Sequence, residues 1–258
     1  MSLKVFITGA SSGLGAELAR CYASADTTLA LTARRREELE SVAAGLPGTT
    51  VVYPLDVTDP AALAEAAADF VTRFGAPDLV IANAGISAGT LTEEPGDVAA
   101  FEKIFRVNVV GMFASFAPFV AAMRARGSGT FVGIASVAGI RGMPGSGGYC
   151  GSKSAAITYL EALRGEMRPY GIRVVTILPG YIRTPLTARN PYQMPFLLEA
   201  DDAARRIRRA IESGSSYRVV PWQMGLVAKV LKVLPNSVFD RLFAGKARKP
   251  RAADGQPM

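Results

Sequence analysis

Tyr149 and Lys153 stand four residues apart in the stretch Gly147-Gly148-Tyr149-Cys150-Gly151-Ser152-Lys153. On a helix that begins near Tyr149, this spacing puts both side chains on one face, one turn apart. A phenol with a pKa of about 10 is a poor acid at neutral pH. An ammonium about 4 Å away, at an effective dielectric of about 20, favours phenolate by about 4 kcal/mol, roughly three pKa units before water screens it. Such a tyrosine can act as acid or base near neutrality. A lone Tyr-x-x-x-Lys is more often a pair on an ordinary helix surface, so its meaning depends on the elements that position it.

The first of those elements offers anion-binding chemistry. Residues 3–8 read as a buried strand that runs into Gly9-Ala10-Ser11-Ser12-Gly13-Leu14-Gly15, and 16–23 has helical composition. Glycines let backbone approach an anion closely, and a helix N-terminus presents unpaired N–H groups and a positive dipole end. The Gly-x-x-x-Gly-x-Gly spacing differs from the commoner Gly-x-Gly-x-x-Gly fingerprint. The same residues spell the Gly-x-Ser-x-Gly nucleophile elbow. That reading requires a histidine base, and the chain has no histidine.

A second buried strand, 28–32, ends where dinucleotide folds read the adenosine ribose, and there the chain carries Ala33, Arg34 and Arg35 in place of an acid. Guanidinium groups match a 2′-phosphate, so NADP(H) is expected over NAD(H). Asp56 and Val57, after strand 50–55, fall where an acid can meet the adenine amino group; Asp56 or Asp59 can equally cap the helix 60–74. Strand 78–82 enters Asn83-Ala84-Gly85, an amide and two small residues suited to lining a cofactor. A long helix over 98–126, broken near Gly96 or Gly111, carries Asn108 among valines, where a buried amide must find partners.

Strand 129–135 ends at Ser136, helix 149–168 carries the Tyr-Lys pair, and strand 172–178 reaches Pro179-Gly180, followed by Ile182 and Thr184. The alternation predicts an α/β fold, a Rossmann-type doubly wound parallel sheet of about seven strands flanked by helices. One catalytic domain is expected over 1–221, including an apolar substrate lid over 183–199 that has few regular signals. An apolar helical extension over 222–243 packs on the body or another subunit, or lies on a membrane surface, and a basic tail of disordered composition fills 244–258.

Composition narrows the chemistry. The absence of histidine excludes histidine triads and histidine metal sites, and two cysteines are too few for a thiolate zinc site, so no metal is expected. The same two cysteines, without a signal peptide, argue for free thiols in a reducing, cytoplasmic setting. No apolar run reads as long and charge-free enough to span a bilayer. The net charge of +7 is spread along the chain with no nucleic-acid motif beside it, so nucleic acid is not expected as a partner.

Taken together, Thr8 to Gly15, Asn83-Ala84-Gly85, Asn108, Ser136, Tyr149-x-x-x-Lys153 and Pro179-Gly180 resemble the short-chain dehydrogenase/reductase family over roughly residues 3–220. The resemblance implies hydride transfer between a nicotinamide and a carbonyl or alcohol. It implies that Tyr149 is the general acid in reduction, that Lys153 lowers its pKa and binds the nicotinamide ribose, and that Ser136 holds the reacting oxygen. Asn108 would hold a water that relays protons to Lys153, and Ile182 and Thr184 would touch the carboxamide. Ala33 and Arg34 match the NADP-preferring subgroup. The expected protein is an NADPH-dependent reductase of apolar ketones or aldehydes and the alcohols they form, working as a homodimer or homotetramer. A non-catalytic NADP(H)-binding regulator or membrane-surface scaffold is the alternative.

Overall fold

A computed structural model describes residues 2–188 and 190–252, and its first half alternates strand and helix. β1 (Leu3–Thr8), α1 (Gly13–Tyr22), β2 (Thr27–Ala33), α2 (Arg36–Ala44), β3 (Thr49–Pro54), α3 (Pro60–Phe74) and β4 (Leu79–Ala82) follow one another. Pro60 opens α3 behind Asp59, whose carboxylate accepts from the Ala61 and Ala62 N–H groups at 3.0 and 3.1 Å. Asp59 is therefore the cap that the sequence left open between it and Asp56.

The next helical run is continuous: α4 (Val98–Phe105), a π-helical turn (Arg106–Val110), α5 (Gly111–Phe116), a 3₁₀ turn and α6 (Val120–Arg126). No break falls at Gly96 or Gly111; the irregularity is the wide turn around Asn108. This corrects the absence of a membrane-length run expected from sequence, since the 32 residues Pro95–Arg126 are long and apolar enough to cross a bilayer. Half of its most apolar window is buried in the protein, where Met112, Phe116, Phe119 and Met123 pack on the sheet.

β5 (Gly129–Ile134), α7 (Gly147–Met167), β6 (Ile172–Pro179), β7 (Ile182–Arg183), β8 (Leu198–Glu199), α8 (Ala200–Glu212) and β9 (Tyr217–Val220) complete the domain. Seven strands form one parallel sheet in the order β3-β2-β1-β4-β5-β6-β9. Side chains alternate between two covered faces. Val5, Ile7, Leu29, Leu31, Leu79 and Ile81 join the cluster with α1 and α8, whereas Phe6, Ala30, Val80 and Phe131 join the cluster with α3, α6 and α7. After β3 the chain crosses back over β1 and builds outward from β4. The crevice at the C-terminal ends of β1 and β4 is where such sheets hold ligands.

The apolar segment 222–243 forms two helices, α9 (Trp222–Val233) and α10 (Asn236–Phe243), parted by Pro235, which cannot continue a helix. Arg141, from the loop before α7, holds them: its guanidinium donates to the Leu231 and Leu234 carbonyls and to Asn236 Oδ1, and lies 4.1 Å from the Phe239 ring centroid. Part of the tail expected as disordered over 244–258 makes contacts with the body. Gly89 N–H donates to the Pro250 carbonyl at 2.8 Å, and Arg251 pairs with Asp97 and Glu94 at 2.9 and 3.0 Å. Composition hid this because the pairing is made across more than 150 residues of chain. The remainder of the tail, 253–258, lies outside the described residues.

Candidate active site

The cleft at the sheet's C-terminal edge begins at the turn between β1 and α1. Gly9 and Gly13 take φ of +68° and +54°, a region that side chains other than glycine rarely enter. Gly15 is needed for closeness instead: a Cβ there would stand 2.1 Å from the Gly9 carbonyl oxygen. Asn83 braces the turn, its amide donating to the Thr8 and Gly9 carbonyls at 3.1 and 3.2 Å. Thr8 Oγ1 accepts from the Asn83 and Ala84 N–H groups, which fixes β4 beside β1. Ser12 precedes α1 without a side-chain capping bond, so the first helical N–H groups have no side-chain cap. Ser11, Ser12, Leu14 and the three glycines thus form a tight backbone cradle in the cleft wall, and this fits an anionic pyrophosphate.

Arg34 and Arg35 line one end of the cleft with Asp56 and Val57, as the pairing of β2 with β3 requires. Arg35 also reaches Glu38 at 2.9 Å and Ser11 Oγ at 3.5 Å. Asp56 Oδ1 accepts from the Thr58 N–H and hydroxyl at 2.9 and 2.8 Å, which locks the loop against the cleft. A cation pair and an acid therefore stand together at the end of the sheet away from Tyr149.

Tyr149, Lys153 and Ser136 line the other end, with Pro179, Gly180 and Ile182. The helix carrying the first two begins at Gly147, two residues before the expected start. Lys153 is 4% exposed, and its Nζ donates to the Ile134 carbonyl at 2.9 Å. It lies 5.9 Å from the Tyr149 ring centroid. Burial pushes Tyr149 up to about 12, with the Ser136 hydroxyl pulling part of that back, and burial pushes Lys153 down to about 8. Burial acts against the phenolate-favouring effect of Lys153 expected from the spacing. Burial favours the neutral form of both groups, so it holds Tyr149 as a phenol in the cofactor-free protein.

Of the residues singled out from sequence, Asn108 alone stands behind the cleft wall. Its Oδ1 accepts from the Ile86 N–H at 2.9 Å, while Nδ2 donates to the Ile86 carbonyl at 3.0 Å and to Ser152 Oγ at 2.9 Å. Ser152 in turn donates to the Tyr149 carbonyl at 2.8 Å. A Cβ on Gly85 would lie 3.2 Å from Asn108 Oδ1 and 3.4 Å from Lys153 Nζ, so Gly85 keeps open the space these two polar atoms share. Ser152 was missed by sequence reasoning. Its signal was present, a serine one turn from Tyr149 on the face opposite solvent.

The segment expected as a lid is closed at its base by the β7–β8 pair and the Arg183–Glu199 ion pair at 2.8 Å. Thr184 packs over the glycine turn, where a Cβ on Gly13 would come within 3.2 Å of it. This segment therefore covers the cradle as well as the Tyr149 end; Arg189 within it lies outside the described residues. Lys249 and Pro250 also line the cleft, and no local pattern announced them.

A doubly wound parallel sheet with a glycine cradle at its crossover and a Tyr-Lys pair beyond it defines a dinucleotide-dependent oxidoreductase. Residues 4–194 match the short chain dehydrogenase family, and the chain belongs to it. It is 37% identical to an uncharacterized oxidoreductase of Myxococcus xanthus over 237 residues, covering 91% of this chain and 93% of that one. A short-chain dehydrogenase from Streptomyces avermitilis superposes with a TM-score of 0.79 at 26% identity, covering 94% of this chain and 96% of that one. An alcohol dehydrogenase from the archaeon Thermococcus sibiricus, solved with 5-hydroxy-NADP, superposes with a TM-score of 0.75 at 27% identity, covering 85% and 96%. The protein is an NAD(P)(H)-dependent oxidoreductase of carbonyl or alcohol groups.

Proposed function

We propose that this protein is an NADPH-dependent carbonyl reductase whose substrates are largely apolar ketones or aldehydes. The observation that carries this reading is the convergence of Tyr149, Lys153 and Ser136 in one cleft with the glycine cradle. NADP(H) over NAD(H) is supported by Arg34 and Arg35 in the cleft wall at the end of β2. The glycine cradle would hold the pyrophosphate, Asp56 and Val57 the adenine, Asn83-Ala84-Gly85 and Lys153 the ribose side, and Pro179, Gly180, Ile182 and Thr184 the carboxamide.

NADPH, when bound, would supply a hydride to the carbonyl carbon. Tyr149 transfers its phenolic proton to the carbonyl oxygen as negative charge grows there, and Ser136 donates a hydrogen bond to the same oxygen. Lys153 stabilises the resulting phenolate, and the shared space beside Asn108 and Lys153 gives a route for its reprotonation. Homo-oligomers are supported by an exposed apolar stripe of Val98, Phe101, Val110 and Phe113. A second contact, with a membrane surface, is favoured by the exposed Trp222, Leu226, Val230 and Val233 of α9; vesicle co-sedimentation tests it. NADPH consumption across ketones, aldehydes and quinones, with Tyr149→Phe beside the wild type, tests the main reading. Equal consumption by both proteins would overturn it, and NADPH binding without any consumption would favour the regulator.

A further inference from the structure

The strap 248–251 returns from beyond α10 to the Tyr149 end of the cleft, and the body is shaped to receive it. A Cβ on Gly89 would stand 2.1 Å from the Lys249 carbonyl oxygen, and one on Gly145 would stand 2.9 Å from Arg248 Cδ. Gly89 pairs with Arg251 as an isolated parallel bridge, and neighbouring Thr90 accepts the Gly148 N–H at 3.0 Å from the first turn of α7. Arg251 clamps the far side: it lies 2.9 Å from Asp97, which is 3% exposed and is held below the usual carboxylate range by that guanidinium and by the Leu91 N–H. The strap is thus joined to the same loops that position Tyr149.

This architecture delivers one ammonium to the cleft. Lys249 Nζ lies 5.7 Å from the Tyr149 ring centroid, about as far as Lys153 does on its own path. Lys153 has the Ile134 carbonyl to bond. Lys249 has no hydrogen bond or ion pair among the described residues. Asp56 is the one acid among the described residues lining the cleft, and it stands at the adenosine end with β2 and β3. A partly buried ammonium that meets only the face of the Tyr149 ring is costly unless an anion arrives with the ligand.

We propose that Lys249 is a substrate-binding residue of this site and that the preferred substrate carries a carboxylate near the carbonyl that is reduced, on an otherwise apolar body. Lys153 already bonds the Ile134 carbonyl, so the one ammonium there without a polar partner among the described residues matches a carboxylate better than a doubly charged phosphate. Burial pushes Lys249 down to about 8, as expected for an ammonium whose counter-charge comes from the ligand. The inference rests on the reductase reading for its chemistry.

The test uses full-length protein with 4-oxononanoate, its 5- and 6-oxo isomers and their methyl esters. In the wild type with NADPH, kcat/KM should favour at least one acid over its ester. In Lys249→Met that acid-to-ester ratio should fall roughly tenfold to a hundredfold, the worth of a charge-assisted hydrogen bond. Arg251→Gln, which loosens the clamp and leaves Lys249 in place, should lower the ratio in the same direction. An equal fall for acid and ester in Lys249→Met would mean that Lys249 acts through Tyr149, and it would overturn the proposal, as would an unchanged ratio. Calorimetric binding of the oxo acids to the NADP⁺-loaded protein, which cannot reduce them, separates the two readings. Acid binding lost in Lys249→Met supports the Lys249 assignment even if turnover is absent, and indifference to the carboxylate defeats it even if turnover is present.

Discussion

Replacing Asn108 with leucine removes three hydrogen bonds at a position that is 0% exposed while nearly conserving volume. The Ile86 N–H and carbonyl lose the partners they hold at 2.9 and 3.0 Å. Ser152 keeps its bond to the Tyr149 carbonyl and adds little to the loss. Each orphaned backbone group costs about 1–3 kcal/mol. Ile86 is only partly buried, so water recovers some of this and about 3 kcal/mol remains. For a chain of this size that is a fall in Tm of about 6–12 °C. Circular dichroism melts and urea titrations of wild type and Asn108→Leu would measure it. NADPH turnover should fall as well, because the same bonds join the β4 loop to the helix bearing Tyr149. A melting shift below about 2 °C would refute the claim that these Asn108 bonds hold the β4 loop to the body.

Other positions give sharper chemical readouts. Arg34→Asp should lower the ratio of NADPH to NADH efficiency by about tenfold to a hundredfold, since it removes a guanidinium and adds a repelling charge; an unmoved ratio would place 2′-phosphate recognition elsewhere. Gly15→Ala should lose NADPH binding measured by fluorescence transfer, because its Cβ meets the Gly9 carbonyl oxygen at 2.1 Å and backbone must shift. Wild-type affinity in that variant would show that the cradle is not rigid. In the cofactor-free protein Tyr149 should remain a phenol through pH 10, because its folded pKa of about 12 lies above the ordinary value of 10.0. The tyrosinate difference spectrum between wild type and Tyr149→Phe should therefore stay flat to pH 10, and a step at pH 7–8 would show that the Lys153 charge outweighs desolvation.

Local pattern carried the sheet well. β1, β2 and β6 were legible because strands covered on both faces are near-continuous apolar runs, and Pro60 after Asp59 marked the start of α3. The cradle and the Tyr-Lys spacing were legible because their chemistry needs particular residues at fixed intervals. What the sequence concealed was set by distance along the chain. The strap depends on Arg251 meeting Asp97, and the α9–α10 pair depends on Arg141 reaching the Leu231 and Leu234 carbonyls. The burial of Tyr149 and Lys153 was concealed for a related reason, since spacing gives their proximity but not the desolvation both side chains undergo.

The most direct test of the account follows deuterium in a single turnover. Wild-type protein mixed with 4R- or 4S-[4-²H]NADPH and a ketone that it consumes should deliver the label to the carbinol carbon from one of the two. Tyr149→Phe, still binding NADPH, should do so at least about a hundredfold more slowly for want of its proton donor. Label transfer at the wild-type rate in Tyr149→Phe would contradict the assignment of Tyr149 as the acid, and with it the proposed mechanism.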